Sequence, residues 1–180
     1  MAYMAMDEFN FKNVWVIDAP IEMVWDVIAA SEHWPEWWPY LDSVEEVCKG
    51  ELDGTGSIRR FIWGGSLPYR LSFQIMVTKV NHPRLIEGVA SGDLEGLGRW
   101  LLANRGGGST EVEYSLNVRS TKSWMRMLSP FLRWFFTWNH NRVMESGRRG
   151  LASYLRCMEK PVSLAGGKKD HLALSRKMSP

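Results

Sequence analysis

Long apolar runs are what this sequence most plainly lacks. No stretch approaches the roughly 18 uninterrupted apolar residues that a membrane helix needs, and the longest candidate, Phe131–Trp138, is short and holds Arg133. An integral membrane segment is therefore not expected. Cysteine is scarce as well: Cys48 and Cys157 are too few for a disulfide framework and have no metal-ligand spacing. The first ten residues, MAYMAMDEFN, carry no apolar core and turn acidic at Asp7, so a secretory signal is not expected. Together these absences predict a reduced, cytoplasmic protein.

Charge of one sign is also missing from the body of the chain. The formal net charge is +2, yet residues 161–180 alone contribute +3 and leave the remainder at −1. A nucleic-acid binder should carry a basic stripe on the fold itself, so no nucleic-acid partner is expected. The reading is one domain over residues 1–160, followed by a basic tail, 161–180, dispensable for folding.

Aromatic residues and methionine, by contrast, are abundant. Ten tryptophans and ten methionines in 180 residues predict a large, soft apolar interior or an apolar surface site. The densest stretch is SEHWPEWWPYL, residues 31–41, where Trp34, Trp37 and Trp38 are interleaved with Pro35 and Pro39.

Periodicity orders the chain. Residues 8–18 are β-branched and aromatic and read as a strand. Ile21, Val24, Trp25 and Ile28 then recur at helical spacing, with Asp18 or Ala19 as cap and Pro20 in the first turn. Ser31 restarts the pattern as a second cap, and the two prolines keep that second helix short. Six strands follow at 43–48, 57–63, 69–80, 84–91, 95–104 and 110–119, separated by turn-forming KGELDGTG, NHP, SGD and RGGGS. Alternation in Tyr69, Leu71, Phe73 and Ile75 turns them inward and Arg70, Ser72 and Gln74 outward. After Thr121 the pattern is helical again, with Pro130 expected to divide a short helix, 122–128, from a long one ending near Met158.

On that long helix Leu132, Phe136, Val143, Met144, Leu151, Tyr154 and Met158 form one stripe. His140, Gly147 and Gly150 interrupt it, with Asn139 at its edge. Glycine costs roughly 1 kcal/mol in a helix interior, so two on the inner face predict close backbone approach to the sheet or space left for something else. His140 and Asn139 either bond sheet side chains such as Glu87 or Arg99, or project into a cavity and meet a ligand. With no second histidine or cysteine nearby, no metal is expected at His140. Trp134 and Trp138 point the opposite way, toward a covering segment, a second subunit in a homodimer, or a membrane or ligand-gating contact.

The motifs IDAPIEMVWDVIAASEHWPEWWP, SGDLEGLGRWLL and WNHNRVMESGRRGLASYL resemble the SRPBCC superfamily, which holds START lipid-transfer and pollen-allergen-like domains. Within it they are most similar to the bacterial polyketide cyclase/dehydrase-like group, over residues 8–158. The resemblance implies an α+β helix-grip fold, a curved seven-stranded antiparallel sheet wrapped around the C-terminal helix over an apolar cavity. The tryptophans at 34, 37 and 38 would then line or close that cavity.

Three functions stay open. The first is a carrier or sensor that binds a hydrophobic or aromatic small molecule, polyketide- or lipid-like, without a cofactor. Its contacts would be Trp34, Trp37, Trp38, Arg60, Tyr69, Leu71, Phe73, Glu87, Trp100, Tyr114, Phe136, Asn139, His140, Val143, Met144 and Gly147. The second is a polyketide cyclase/dehydrase-type enzyme with His140 as base and Arg99 or Tyr69 as donor to the enolate. The third is a protein-interaction or co-chaperone-like module. No nucleophile motif, phosphate loop or cofactor fingerprint is present to decide among them.

Overall fold

A computed structural model describes residues 8–64 and 70–159, with the side chains of 123–133 outside the description. β1 (Glu8–Ile17) leads into α1 (Ile21–Ala29), a 3₁₀ turn (Ser31–His33) and α2 (Trp34–Trp37). Six further strands follow: β2 (Leu41–Cys48), β3 (Ile58–Trp63), β4 (Leu71–Asn81), β5 (Leu85–Gly92), β6 (Leu94–Gly106) and β7 (Ser109–Ser120). The chain ends in α3 (Ser123–Glu159).

The sheet is antiparallel throughout, in the order β1-β7-β6-β5-β4-β3-β2. Consecutive strands pair as hairpins from β2 to β7, whereas β1 joins the far edge beside β7. The chain between β1 and β2 must therefore cross from one edge to the other, and α1 and α2 make that crossing. Alternation places Phe9, Phe11, Trp15 and Ile17 of β1 on the concave face, where α3 packs. On β4 the inward set is Leu71, Phe73 and Ile75, and Ser72 faces out, as the alternation predicts.

Three local expectations are corrected. α1 has no side-chain cap: Pro20 holds the cap position, and its carbonyl accepts from the Val24 amide at 3.1 Å. Ser31 opens a 3₁₀ turn, and its hydroxyl instead accepts from Arg59 Nη1 at 3.2 Å. Pro130 does not divide the last helix, which runs unbroken from Ser123 to Glu159. A proline interior to a helix removes one backbone bond, but its fixed φ is helical, so the helix can continue through it.

The inward stripe of α3 is Phe136, Met144, Leu151 and Leu155. Met158 is 59% exposed, and Leu155 takes the place assigned to it, one turn beyond Leu151. Gly147 and Gly150 serve close approach, not to the sheet as expected but to Trp37 and Trp38. A Cβ at 147 would lie 2.6–2.7 Å from Cζ2 and Nε1 of Trp38, and one at 150 would meet the backbone carbonyl oxygen of Trp37. The glycine notch thus seats α2 against α3.

Candidate functional site

Trp38 organises the interior. Its Nε1 donates to the Val143 carbonyl of α3 at 2.9 Å, and its ring meets those of Trp15, Trp34, Trp37, Trp63 and Trp100 at centroid distances of 5.1–6.3 Å. Pro35 in the first turn of α2 and the short length of that helix put Trp34 and Trp38 on its inner side. Trp34 is anchored in turn by donating from Nε1 to the Ile28 carbonyl at 3.1 Å.

Two spaces remain around this cluster. The first, about 160 Å³, lies between the sheet and α3. Phe9, Phe11, Trp63, Leu71, Phe73 and Leu116 supply its strand side, and Phe136, Asn139, His140, Val143 and Met144 its helix side. The second, about 150 Å³, lies toward α1 and the β2–β3 turn and includes Ser31, Asp53, Ser57 and Arg59. Trp34, Phe61, Ile75, Trp100 and Tyr114 border both, forming an aromatic wall between the two chambers. Trp34 meets Phe61 at 5.6 Å and Trp100 at 5.7 Å, and Trp100 meets Tyr114 at 4.4 Å.

The polar atoms of the first chamber are few. His140 donates from Nε2 to Asn13 Oδ1 at 3.0 Å, and its ring stacks on Phe11 at 3.8 Å. Burial lowers its pKa to about 4, so the imidazole is neutral at pH 7 and keeps Nδ1 as an acceptor. Asn139 Oδ1 is buried without a hydrogen-bond partner among the described residues, as is Trp63 Nε1. Burial likewise raises the pKa of Tyr114, which keeps its hydroxyl protonated. The chamber therefore offers neutral donors and acceptors on an apolar lining, and no charged side chain among the described residues borders it.

Several expected contacts lie elsewhere. Glu87 and Arg99 are register partners on β5 and β6 and point to the convex face, where Arg99 Nη2 meets Glu87 Oε2 at 2.6 Å. Neither bonds His140 or Asn139; the histidine's partner is Asn13. Arg60 also points outward and pairs with Glu45 at 3.4 Å. The inward arginine is Arg59, one residue away, whose Nη1 donates to the Ala29 carbonyl and whose Nη2 lies 3.3 Å from Glu32 Oε2. Trp37 and Gly147 are packed into the core and do not line either chamber. Tyr69 falls outside the described residues. Trp134 and Trp138 are 70% and 47% exposed.

Sequence reasoning missed Trp63, Asn13 and Arg59. Asn13 had a visible signal, since it breaks the apolar inward positions of β1 between Phe11 and Trp15. The aromatic residues near Trp63 gave no parity to follow, and Arg59 is adjacent to an equally basic residue.

Solved structures share this architecture. A Thermus thermophilus protein, TTHA0849, superposes with a TM-score of 0.73 at 17% identity, covering 84% of this chain and 100% of its own. The Zhui aromatase/cyclase of a Streptomyces species gives 0.70 at 12%, covering 87% and 98%. A START superfamily protein from Mycobacterium smegmatis gives 0.68 at 14%, covering 83% and 98%. No curated protein matches the sequence. At these identities the likeness establishes a shared helix-grip fold. Residues 8–156 also match the family model described as polyketide cyclase / dehydrase and lipid transport. With most of its length so matched, the chain belongs to the polyketide cyclase / dehydrase and lipid transport family.

Proposed function

We propose that this protein binds a neutral, aromatic small molecule in the chamber between the sheet and α3, as a carrier or sensor. One observation carries the reading: an apolar chamber of about 160 Å³ lies between the sheet and α3, and the neutral imidazole of His140 stands in its wall. A neutral imidazole can offer a hydrogen bond to a ligand hydroxyl or carbonyl on an otherwise apolar wall. An apolar cavity of roughly 150 Å³ is known to accept benzene, so a space of this order suits one or two rings. A lining free of charge among the described residues favours neutral ligands over carboxylates.

The enzyme reading draws on the fold shared with an aromatase/cyclase and on His140 inside the chamber. Of its two candidate donors, Arg99 lies on the convex face and Tyr69 falls outside the described residues. A base whose pKa is about 4 is also a weak proton acceptor at neutral pH. Binding without chemistry needs neither group.

The test is native mass spectrometry of freshly purified protein together with titration by 1-naphthol, a two-ring phenol. Trp34, Trp38, Trp63 and Trp100 border the chamber, so occupation quenches tryptophan fluorescence. A Kd below about 1 mM is expected, which corresponds to roughly 4 kcal/mol and is ordinary for a ligand of this size. Absence of both a co-purified mass and saturable quenching would refute the reading.

A further inference from the structure

The outer side of α3 carries a feature that ligand binding in the chamber does not use. Trp134 and Trp138 are 70% and 47% exposed on one helix face, two large apolar rings that the described residues leave uncovered. Phe135 stacks on Trp138 at 6.0 Å, and Arg142 lies 5.5 Å over the Trp138 ring while donating from Nε to the Tyr40 hydroxyl. Along the sequence, residues 123–144 hold three tryptophans and three arginines and no aspartate or glutamate. The first acid beyond them, Glu145, is already engaged by Arg148 and Arg149, each at 2.8 Å. At its described positions the face is thus aromatic, with Arg142 as its positive charge.

Two occupants fit an exposed aromatic face, and charge separates them. In a two-fold dimer the same patch meets itself, which would bring Arg142 of one copy toward Arg142 of the other. An anionic bilayer supplies the missing negative charge. Tryptophan favours the headgroup level of a membrane, where its ring is buried and its N–H stays wet, and arginine beside it adds attraction to acidic lipids. No helix among the described residues is long and apolar enough to cross a membrane, so contact would be with the surface.

We infer that the Trp134/Trp138/Arg142 face of α3 docks the protein on anionic membrane surfaces. Phe136, between the two tryptophans in sequence, lines the chamber, so the docked face and the chamber lie on opposite sides of one helix. The inference does not depend on what fills the chamber, and its test does not use a chamber ligand.

The experiment is vesicle flotation of the full chain with phosphatidylcholine alone and with phosphatidylcholine containing about 30% phosphatidylglycerol, at low and high salt. Binding to the anionic vesicles is expected to exceed binding to the neutral ones by about fivefold, because an arginine near the surface contributes roughly that factor. High salt should weaken it. Trp134→Ala/Trp138→Ala should lower the anionic partition at least about tenfold with an unchanged circular dichroism spectrum, and Arg142→Gln should lower it about fivefold. Equal binding to both vesicle types overturns the inference. So does full binding by the double tryptophan variant, which would move the contact elsewhere, for instance to the basic residues of 161–180. A concentration-dependent dimer in sedimentation equilibrium that the double variant abolishes would overturn it too, by making the face a self-interface.

Discussion

The Trp38 indole lies where a side chain at Gly147 would begin: a Cβ there would come within 2.7 Å of Nε1 and 2.6 Å of Cζ2. The ring cannot retreat. It is 2% exposed, held by its bond to the Val143 carbonyl and enclosed by five other tryptophans. Alanine should raise intrinsic helix propensity by up to about 1 kcal/mol, yet overpacking of such a site costs about 1–3 kcal/mol. Gly147→Ala is expected to destabilise by about 1 kcal/mol net and to lower Tm by roughly 2–4 °C in thermal denaturation. Gly150→Ala should cost more, because its Cβ meets a backbone oxygen and not a ring edge. An unchanged or raised Tm for Gly147→Ala would show that α2 is not seated by the notch.

Asn139 supports a different kind of prediction, in which stability and binding move in opposite directions. Its buried, unpartnered Oδ1 penalises the empty protein. Asn139→Leu removes that atom and extends into the chamber it borders. The variant should melt a few degrees higher, by about 1 kcal/mol, while its affinity for 1-naphthol falls about tenfold. A less stable variant with unaltered affinity would identify the amide as a structural group.

Acid should act through His140 in a definite window. Burial lowers its folded pKa to about 4 from an ordinary 6.5, so the unfolded chain binds the proton more readily. Its contribution is complete above pH 6.5 and is lost as pH falls toward 4, by at most about 3 kcal/mol. Glu145 acts lower: its arginine partners hold its pKa at about 2, so its contribution is lost between the ordinary carboxyl range and that value. Urea denaturation from about pH 7 to about pH 4.5 should therefore show a decline in the parent that is flattened in His140→Phe. If the two proteins decline in parallel, His140 is not the group that titrates.

The elements were legible because each of their signals is local, whereas their helix-grip arrangement came from the family resemblance. Strict alternation in β4 and the Pro-rich turn at 35–39 set the elements, and the two glycines of α3 pointed either to close approach or to open space, without naming Trp37 and Trp38 as what approaches. The site was only half legible. Phe136, Asn139, His140, Val143 and Met144 follow from helix rotation alone, which tolerates small boundary errors. Strand positions do not, because a one-residue shift reverses the face. Arg60, Glu87 and Arg99 fell on the wrong side for that reason, and Asn13 was hidden because its partner is 127 positions away.

Arg59 and Arg60 turn that parity into a measurement. Arg60 faces solvent and pairs with Glu45 at 3.4 Å, both side chains being largely exposed, and surface pairs of this kind contribute about 0–1 kcal/mol. Arg59 faces inward, where Nη1 donates to the Ala29 carbonyl and the Ser31 hydroxyl, each at 3.2 Å, and Nη2 reaches Glu32. Those bonds tie β3 to the turn between α1 and α2, the segment that carries the tryptophans over the chamber. Hydrogen bonds from a charged donor contribute about 1.5–3 kcal/mol. Arg59→Gln should therefore cost about 2 kcal/mol in urea denaturation and red-shift the tryptophan emission as the turn loosens and water reaches Trp34. Arg60→Gln should stay within about 0.5 kcal/mol of the parent and leave the emission unchanged. Equal losses in the two variants, or a larger loss at Arg60, would mean that β3 pairs with its faces reversed, and the assignment of Phe61 to the chamber wall would fall with it.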